Sequence, residues 1–552
     1  MTLHTRPVAH NHQLPGDPDW WRGGVIYQIY PRSFMDTNGD GIGDLPGVTQ
    51  KLDYIASLGV DAIWLSPFFV SPMDDFGYDV ADYCDVDPMF GALADFDFLV
   101  AEAHERGIRV LIDLVLSHTS DRHPWFVESR KSRNNDKADW YVWADPKPDG
   151  TPPNNWLAMF GGAAWEWDTT RRQYYMHNFL ASQPDLNFHT PAVQDAVLGV
   201  AKFWLDRGVD GFRLDTVNNY VHDTAQRDNP PMEPGRRATV DASNPIAMQQ
   251  PIYSINRPEN LVFVERLRAL MNEYPGTTTV GEVGNRMADG PEMGEYTAPG
   301  RLHMAYGFDL LHGPITAEAV RAAMDDAQRH GASWTSWPFS NHDVVRVATR
   351  GGLGPEAAPM LLQLILCMRG TPTIYQGEEL GLIEADVPYD LVQDPYGKRF
   401  WPQIKGRDGC RTPMPWSGAI AHAGFTTGNP WLPIEAAHVA AAVDRQDSDG
   451  TSILNAVRGF ISWRSNELSL RQGDMTFLDA PPPLLAFTRE AQQARPLLCV
   501  FNLSTGAATF TLPVDVDVAD APGVTGAVLS GRSLTLEPRA AFIGVAHKPT
   551  SP

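Results

Sequence analysis

The sequence predicts an α/β protein: a (β/α)8 barrel of the TIM type with a small domain inserted after its third strand and a C-terminal β-sandwich. Three observations point there. Eight short apolar segments of strand character alternate with stretches of helical periodicity through most of the 552 residues. Acids, arginines and histidines fall at the ends of several of these segments. Beyond residue 472 the pattern changes to short strands between Pro/Gly turns.

The strand candidates, in order, are Val25–Tyr30, Ala62–Pro67, Arg109–Val115, Gly211–Asp215, Thr278–Glu282, Tyr306–Leu310, Trp337–Asn341 and Thr371–Gln376. Helical stretches separate them: Val48, Leu52, Ile55 and Ala56 share one face, as do Val193, Val197, Val200 and Trp204. Leu361–Met368 is too short for a membrane span and reads as a buried helix. The barrel is assigned to residues 1–118 and 188–472. Residues 119–187, rich in Trp, Asn, Asp and Pro, are too many for a βα loop and predict the inserted domain. Residues 381–436 form a long Pro/Gly/aromatic region after the eighth strand. Within 473–552, Leu484–Thr488, Leu497–Asn502, Ala508–Leu512 and Ala541–Val545 predict the sandwich.

Composition narrows the class. With 44 Lys+Arg against 67 Asp+Glu, the net charge of -23 argues against nucleic acid and anionic membranes as partners. Cys84, Cys367, Cys410 and Cys499 lie far apart with no metal-type spacing. Residues 1–24 carry no apolar h-region, so no signal peptide is expected, and a cytoplasmic location follows. A monomer or homodimer is expected.

Three acids end apolar strands: Asp215, Glu282 and Asp343. Singly, each could cap a helix or turn. Arg213 lies two residues before Asp215 and so on the same face of its strand. A charged pair there is costly unless it is used. Three acids on one barrel, with Arg213, His118 and His342 also at strand ends, suggest glycoside hydrolysis by a pair of carboxyls.

The motifs carrying this chemistry resemble those of the α-amylase family of glycoside hydrolases (glycoside hydrolase family 13), over nearly the whole chain. Asp113–His118, Gly211–Asp215, Gly281–Val283 and Phe339–Asp343 look like its four motifs in order. Gln183-Pro184-Asp185-Leu186-Asn187 resembles the extra motif of the oligo-1,6-glucosidase and α-glucosidase branch, and Gly370–Glu379 the last barrel strand. The resemblance implies Asp215 as nucleophile, Glu282 as general acid/base and Asp343 as the residue that holds the sugar 2- and 3-hydroxyls and supports the transition state. A retaining mechanism then needs the two working carboxyls about 5–5.5 Å apart.

Other roles follow the same way. Ser71–Asp79 looks like the branch's Asp-Asn-Gly-Tyr-Asp sequence, with Phe76 in place of Asn. Asp75 would pair with Arg411 to grip the 4-hydroxyl of the terminal glucose and close the site, which implies exo-action. Tyr78 would stack on the sugar, and His118 and His342 would donate to its hydroxyls. Phe160 and Phe179 either line the site or form the inserted domain's own core. Thr216, following the nucleophile, points to α-1,4 linkages or sucrose, whereas isomaltase-like relatives tend to have Val.

Asp36–Asp44 has oxygen side chains at alternate positions and glycines for tight turns, a pattern suited to Ca²⁺ or Mg²⁺ or to a plain Asx-rich turn. Relatives carry a cation in the matching loop. The resemblance therefore implies a structural ion held by Asp36, Asn38, Asp40 and Asp44 side chains and the Ile42 carbonyl. Ser117 stands where many α-amylases have a calcium-ligating Asn, which counts against a second calcium. No organic cofactor is expected. The function implied is a retaining exo-α-glucosidase acting on short α-glucosides through a covalent β-glucosyl intermediate, with transglucosylation to sugar or alcohol acceptors. A trehalose- or isomaltulose-forming transferase or isomerase is the near alternative, and a non-catalytic binding homologue the distant one. Acceptor choice falls to the loop after the fourth strand, about residues 218–257.

Overall fold

The computed structural model describes residues 17–234, 240–284, 293–329 and 334–547. Part of the acceptor loop, residues 235–239, and most of the N-terminal stretch lie outside the described residues. Eight parallel strands form the central sheet: β1 (Ile26–Ile29), β2 (Ala62–Leu65), β3 (Arg109–Leu114), β4 (Gly211–Leu214), β5 (Thr278–Glu282), β6 (Met304–Tyr306), β7 (Ser336–Pro338) and β8 (Thr371–Tyr375). Each pairs with its neighbour in sequence, and β8 returns to β1 with Thr373 opposite Ile26. A parallel bridge between Ala305 and Thr335 closes the ring between β6 and β7. Both faces of these strands are covered, so they read as continuous apolar runs rather than as alternation.

Two strands are displaced from their expected positions. The sixth runs over Met304–Tyr306, two residues earlier than expected, because Val280, Gly281 and Glu282 pair with Met304, Ala305 and Tyr306. The seventh ends at Pro338, which has no N–H to continue a ladder. Phe339 to Asp343 therefore leave the sheet as an irregular segment, free to turn into the barrel mouth.

The helices pack as their periodicity demands. Val48, Leu52 and Ile55 are fully buried on Leu45–Gln50 and Leu52–Leu58, and Val193, Val197 and Trp204 on Pro191–Leu205. Ala358–Cys367 is buried at every residue but Pro359, between the barrel and the C-terminal sheets.

The segment 119–187 holds a three-stranded antiparallel sheet of Trp143–Ala144, Gln173–Met176 and Trp165–Asp168. Near the C-terminus, a five-stranded antiparallel sheet (Asp474–Phe477, Leu484–Glu490, Leu497–Asn502, Ala541–Ala546, Val516–Val518) packs on a three-stranded one (Ala508–Thr511, Ser533–Leu536, Ala527–Ser530). Leu484, Ala486, Leu498, Val500 and Phe542 face Phe510, Leu534 and Leu536 across that sandwich. The alternate residues Leu485, Phe487, Cys499, Phe501 and Ile543 face the barrel and join its core.

Candidate active site

The expected acids converge at the C-terminal mouth of the barrel, where such folds place their chemistry. Asp215 follows β4 and Glu282 ends β5. Asp343 lies five residues beyond the end of β7. Asp215 and Glu282 are buried, and the Asp343 side chain retains 24% exposure toward the pocket.

Arg213 organises the pair. Fully buried on β4, it donates from Nη1 to Asp215 Oδ1 at 2.7 Å and to Asp113 Oδ1 at 2.8 Å, and from Nη2 to Glu282 Oε2. Tyr306, at the end of β6, meets the same guanidinium through its hydroxyl at 3.0 Å. One planar cation therefore bridges Asp215 and Glu282 and sets their mutual orientation. Burial raises Glu282 to about 8, the nearby charge of Asp215 adds to this, and Arg213 opposes it. Glu282 is thereby shifted toward its protonated form, while Asp215 has a fixed cationic partner.

Thr216 ties the acids from the other side. Its N–H donates to Glu282 Oε2 at 3.0 Å and its hydroxyl to Asp215 Oδ2 at 3.2 Å. Its φ of 38° lies in the left-handed region, which a β-branched residue rarely occupies.

The far end of the pocket corrects one expectation. Asp75 does not pair with Arg411. Its Oδ1 accepts from Arg407 Nη2 at 2.6 Å. Arg411 donates instead to Asp343 Oδ1 at 2.8 Å and to the His342 carbonyl at 2.6 Å. The two arginines flank the single helical turn Asp408–Cys410, so they diverge to different acids. Arg407 also approaches Asp343 Oδ1 from Nη1 at 3.2 Å. Burial would raise the Asp343 carboxyl, but His342, Arg407 and Arg411 outweigh it and hold it well below the usual range.

The sequence-expected aromatic and histidine residues lie around these acids. Tyr78 stacks on His342 with ring centroids 5.3 Å apart and donates to Asp113 Oδ2 at 3.0 Å. His342 meets Gln28 Nε2 through Nδ1 at 2.8 Å. His118 meets the Tyr78 carbonyl through Nε2 at 2.9 Å and Ser117 Oγ through Nδ1 at 2.7 Å. Phe179 lies 5.2 Å from the His118 ring, and Phe160 sits under the Arg407 guanidinium at 5.3 Å. Both phenylalanines of the inserted segment therefore reach the barrel mouth. Phe76, at φ 53°, is held between Arg32 and Trp431 at ring distances of 5.2 and 5.5 Å.

Sequence reading missed four partners. Arg407 lay four residues before the singled-out Arg411, and Gln183 inside a motif already named; Gln183 Nε2 donates to Asp75 Oδ2 at 3.2 Å. Asp113 and Tyr306 act through Arg213, which only the closed sheet reveals. Burial pushes Asp113 up to about 7, against Arg213.

The Asp36–Asp44 loop is turned in on itself. Asp36 accepts the N–H groups of Asn38, Gly39 and Gly41, Asn38 that of Asp40, Asp40 that of Ile42, and Asp44 those of Thr37 and Gly47. Its donors are hard oxygens, but among the described residues no three His, Cys, Asp or Glu side chains gather as a metal cluster.

Comparison with known proteins agrees with this geometry. Residues 28–473 match the family described as alpha amylase, catalytic domain. The chain belongs to the α-amylase family. It is 56% identical to a probable alpha-glucosidase of Rhizobium meliloti (strain 1021) over 91% of this chain and 92% of that one. It is 38% identical to an oligo-1,6-glucosidase of Heyndrickxia coagulans over 90% and 94%. Among solved structures, the alpha-glucosyl transfer enzyme XgtA superposes with a TM-score of 0.93 at 53% identity, covering 96% of this chain and 99% of that one. The trehalulose synthase MutB of Pseudomonas mesoacidophila MX-45 gives 0.85 at 33%, covering 96% and 100%. The protein is thus an α-glucosidase-type glycoside hydrolase. No helix among the described residues is long and apolar enough to cross a membrane.

Proposed function

We propose that this family member is a retaining, exo-acting α-glucosidase that removes glucose from the non-reducing end of short α-glucosides, α-1,4-linked substrates or sucrose preferred. The observation that carries the reading is the Arg213 bridge between Asp215 and a Glu282 raised to about 8. Asp215 Oδ attacks the anomeric carbon while Glu282 gives its proton to the departing glycosidic oxygen. That leaves a covalent β-glucosyl ester on Asp215 and a Glu282 carboxylate. Glu282 then takes a proton from the attacking hydroxyl, and α-glucose or an α-glucoside leaves. Asp343, held ionised by His342, Arg407 and Arg411, would meet the adjacent hydroxyls. Exo-action is supported by the buried Asp75–Arg407 ion pair, a fixed charged contact for the outermost hydroxyl of a terminal sugar.

Anomer-resolved NMR of early hydrolysis of an aryl α-glucoside, which releases a single glucose, tests this: α-glucose first supports it, and β-glucose first overturns it. Turnover of soluble starch without maltose would overturn the exo reading. Transfer is the second outcome of the same intermediate, and the likeness to XgtA and MutB supports it. It predicts glucosylated products when maltose or sucrose is concentrated. The four cysteines are free, which supports a reducing, cytoplasmic setting. From donor chemistry alone we also propose a structural Ca²⁺ or Mg²⁺ for the Asp36–Asp44 loop. A melting midpoint lowered by EDTA supports it, and an unchanged one overturns it.

A further inference from the structure

We propose that Asp394 is a positioning residue for the terminal sugar: it locks Arg407 in the orientation that meets Asp75 and keeps that guanidinium from collapsing onto Asp343. The proposal rests on the exo reading above. Asp394 lies in the long segment after β8, caps the short helix Pro395–Phe400, and has a side chain with no exposure. Substrate cannot reach it, so any effect on binding passes through its contacts.

Those contacts concentrate on one residue. Asp394 Oδ1 accepts from Arg407 Nε at 3.0 Å and Nη2 at 2.7 Å, and Oδ2 accepts from the Arg407 backbone N–H at 2.8 Å. A single carboxylate thus fixes both the guanidinium plane and the chain that carries it. What remains of Arg407 points at Asp75 from Nη2 and at Asp343 from Nη1. Three carboxylates share two guanidinium groups here. Without the Asp394 charge, the cation is drawn toward Asp75 and Asp343, and Asp343 is the more exposed of the two.

The cradle around Asp394 is built for this contact. A Cβ on Gly406, whose φ is +86°, would stand 2.6 Å from Asp394 Oδ2 and 2.7 Å from Gly397 Cα. A Cβ on Gly397 would stand 2.6 Å from the Lys405 carbonyl. Residues 394–407 close into a tight loop only because two glycines face each other, and that closure delivers the carboxylate to Arg407.

Asp394→Asn separates positioning from capping, since Asn caps a helix as well as Asp but carries no charge. We expect KM for maltose and the inhibition constant of glucose to rise about tenfold, with kcat changed far less. In an Arg407→Gln background, Asp394→Asn should add little, because its route is already cut. A wild-type KM in Asp394→Asn, or an equal KM increase in both backgrounds, overturns the proposal. If Asp394→Asn does not fold, Gly406→Ala displaces the carboxylate while keeping its charge; a KM increase supports the proposal and a wild-type KM overturns it. Failure of the exo reading would show in the wild-type products alone.

Discussion

At the scale of single residues, Thr216 concentrates the most chemistry. Its left-handed backbone costs about 1–3 kcal/mol, and the conformation aims its N–H at Glu282 and its hydroxyl at Asp215. The same hydroxyl lies 3.3 Å from Ser117 Oγ, so it joins Asp215 to the end of the first motif. Thr216→Val preserves the branched shape and removes the hydroxyl. Its kcat/KM ratio for maltose over isomaltose should fall about tenfold, measured on the two disaccharides; an unchanged ratio would end the assignment of linkage preference to this residue. Phe76 is the second strained residue at the mouth, where a ring clasped by Arg32 and Trp431 offsets an unfavourable backbone.

At the scale of elements, the helix Ala358–Cys367 shows how the sandwich is fastened to the barrel. Its C-terminal carbonyls have no partners within the helix and are buried. Arg489, from the strand Leu484–Glu490, donates to the Cys367 and Met368 carbonyls at 2.5 and 2.9 Å and to that of Gly473 at 2.9 Å. Arg464 donates to Leu366 O at 2.6 Å. Burial pushes Arg489 down to about 9, yet it remains a cation at neutral pH beside the negative end of the helix dipole. Arg489→Met should cost about 2–3 kcal/mol in denaturant unfolding, with kcat/KM per folded molecule unchanged. A loss of kcat/KM at full folding would show instead that this joint shapes the distant pocket.

At the scale of the whole molecule, buried carboxyls make stability depend on pH. Burial raises Asp79 to about 6, Asp113, Glu378 and Glu384 to about 7, and Glu282 to about 8. Unfolded, these groups ionise near pH 4. Their stabilising contribution is therefore complete below about pH 4 and is lost as pH rises through their folded values. Glu282→Gln removes one of these titrations. Its melting midpoint should rise relative to wild type between pH 5 and pH 8, by calorimetry; a constant difference would contradict the raised value. With Glu282 as the proposed proton donor, wild-type kcat/KM should fall above about pH 8.

The alternation of apolar strands with amphipathic helices was legible as a barrel because period and burial are local properties of the chain. The three acids were legible for a related reason: a parallel barrel brings every strand's C-terminal end to one rim, so position along a strand already implies position in the site. Side-chain pairing was not legible in this way. Arg407 and Arg411 are the same residue type on either side of one helical turn, and no spacing rule says which meets Asp75. Asp394 looked like an ordinary acid, because its importance comes from an arginine carried by another element. The strand ends at Tyr306 and Pro338 likewise followed from pairing partners and a missing N–H. Local periodicity therefore carried the architecture and the placing of three acids at one rim, and the resemblance carried their expected roles, whereas the charge network that orients them exists only once distant loops share one buried volume.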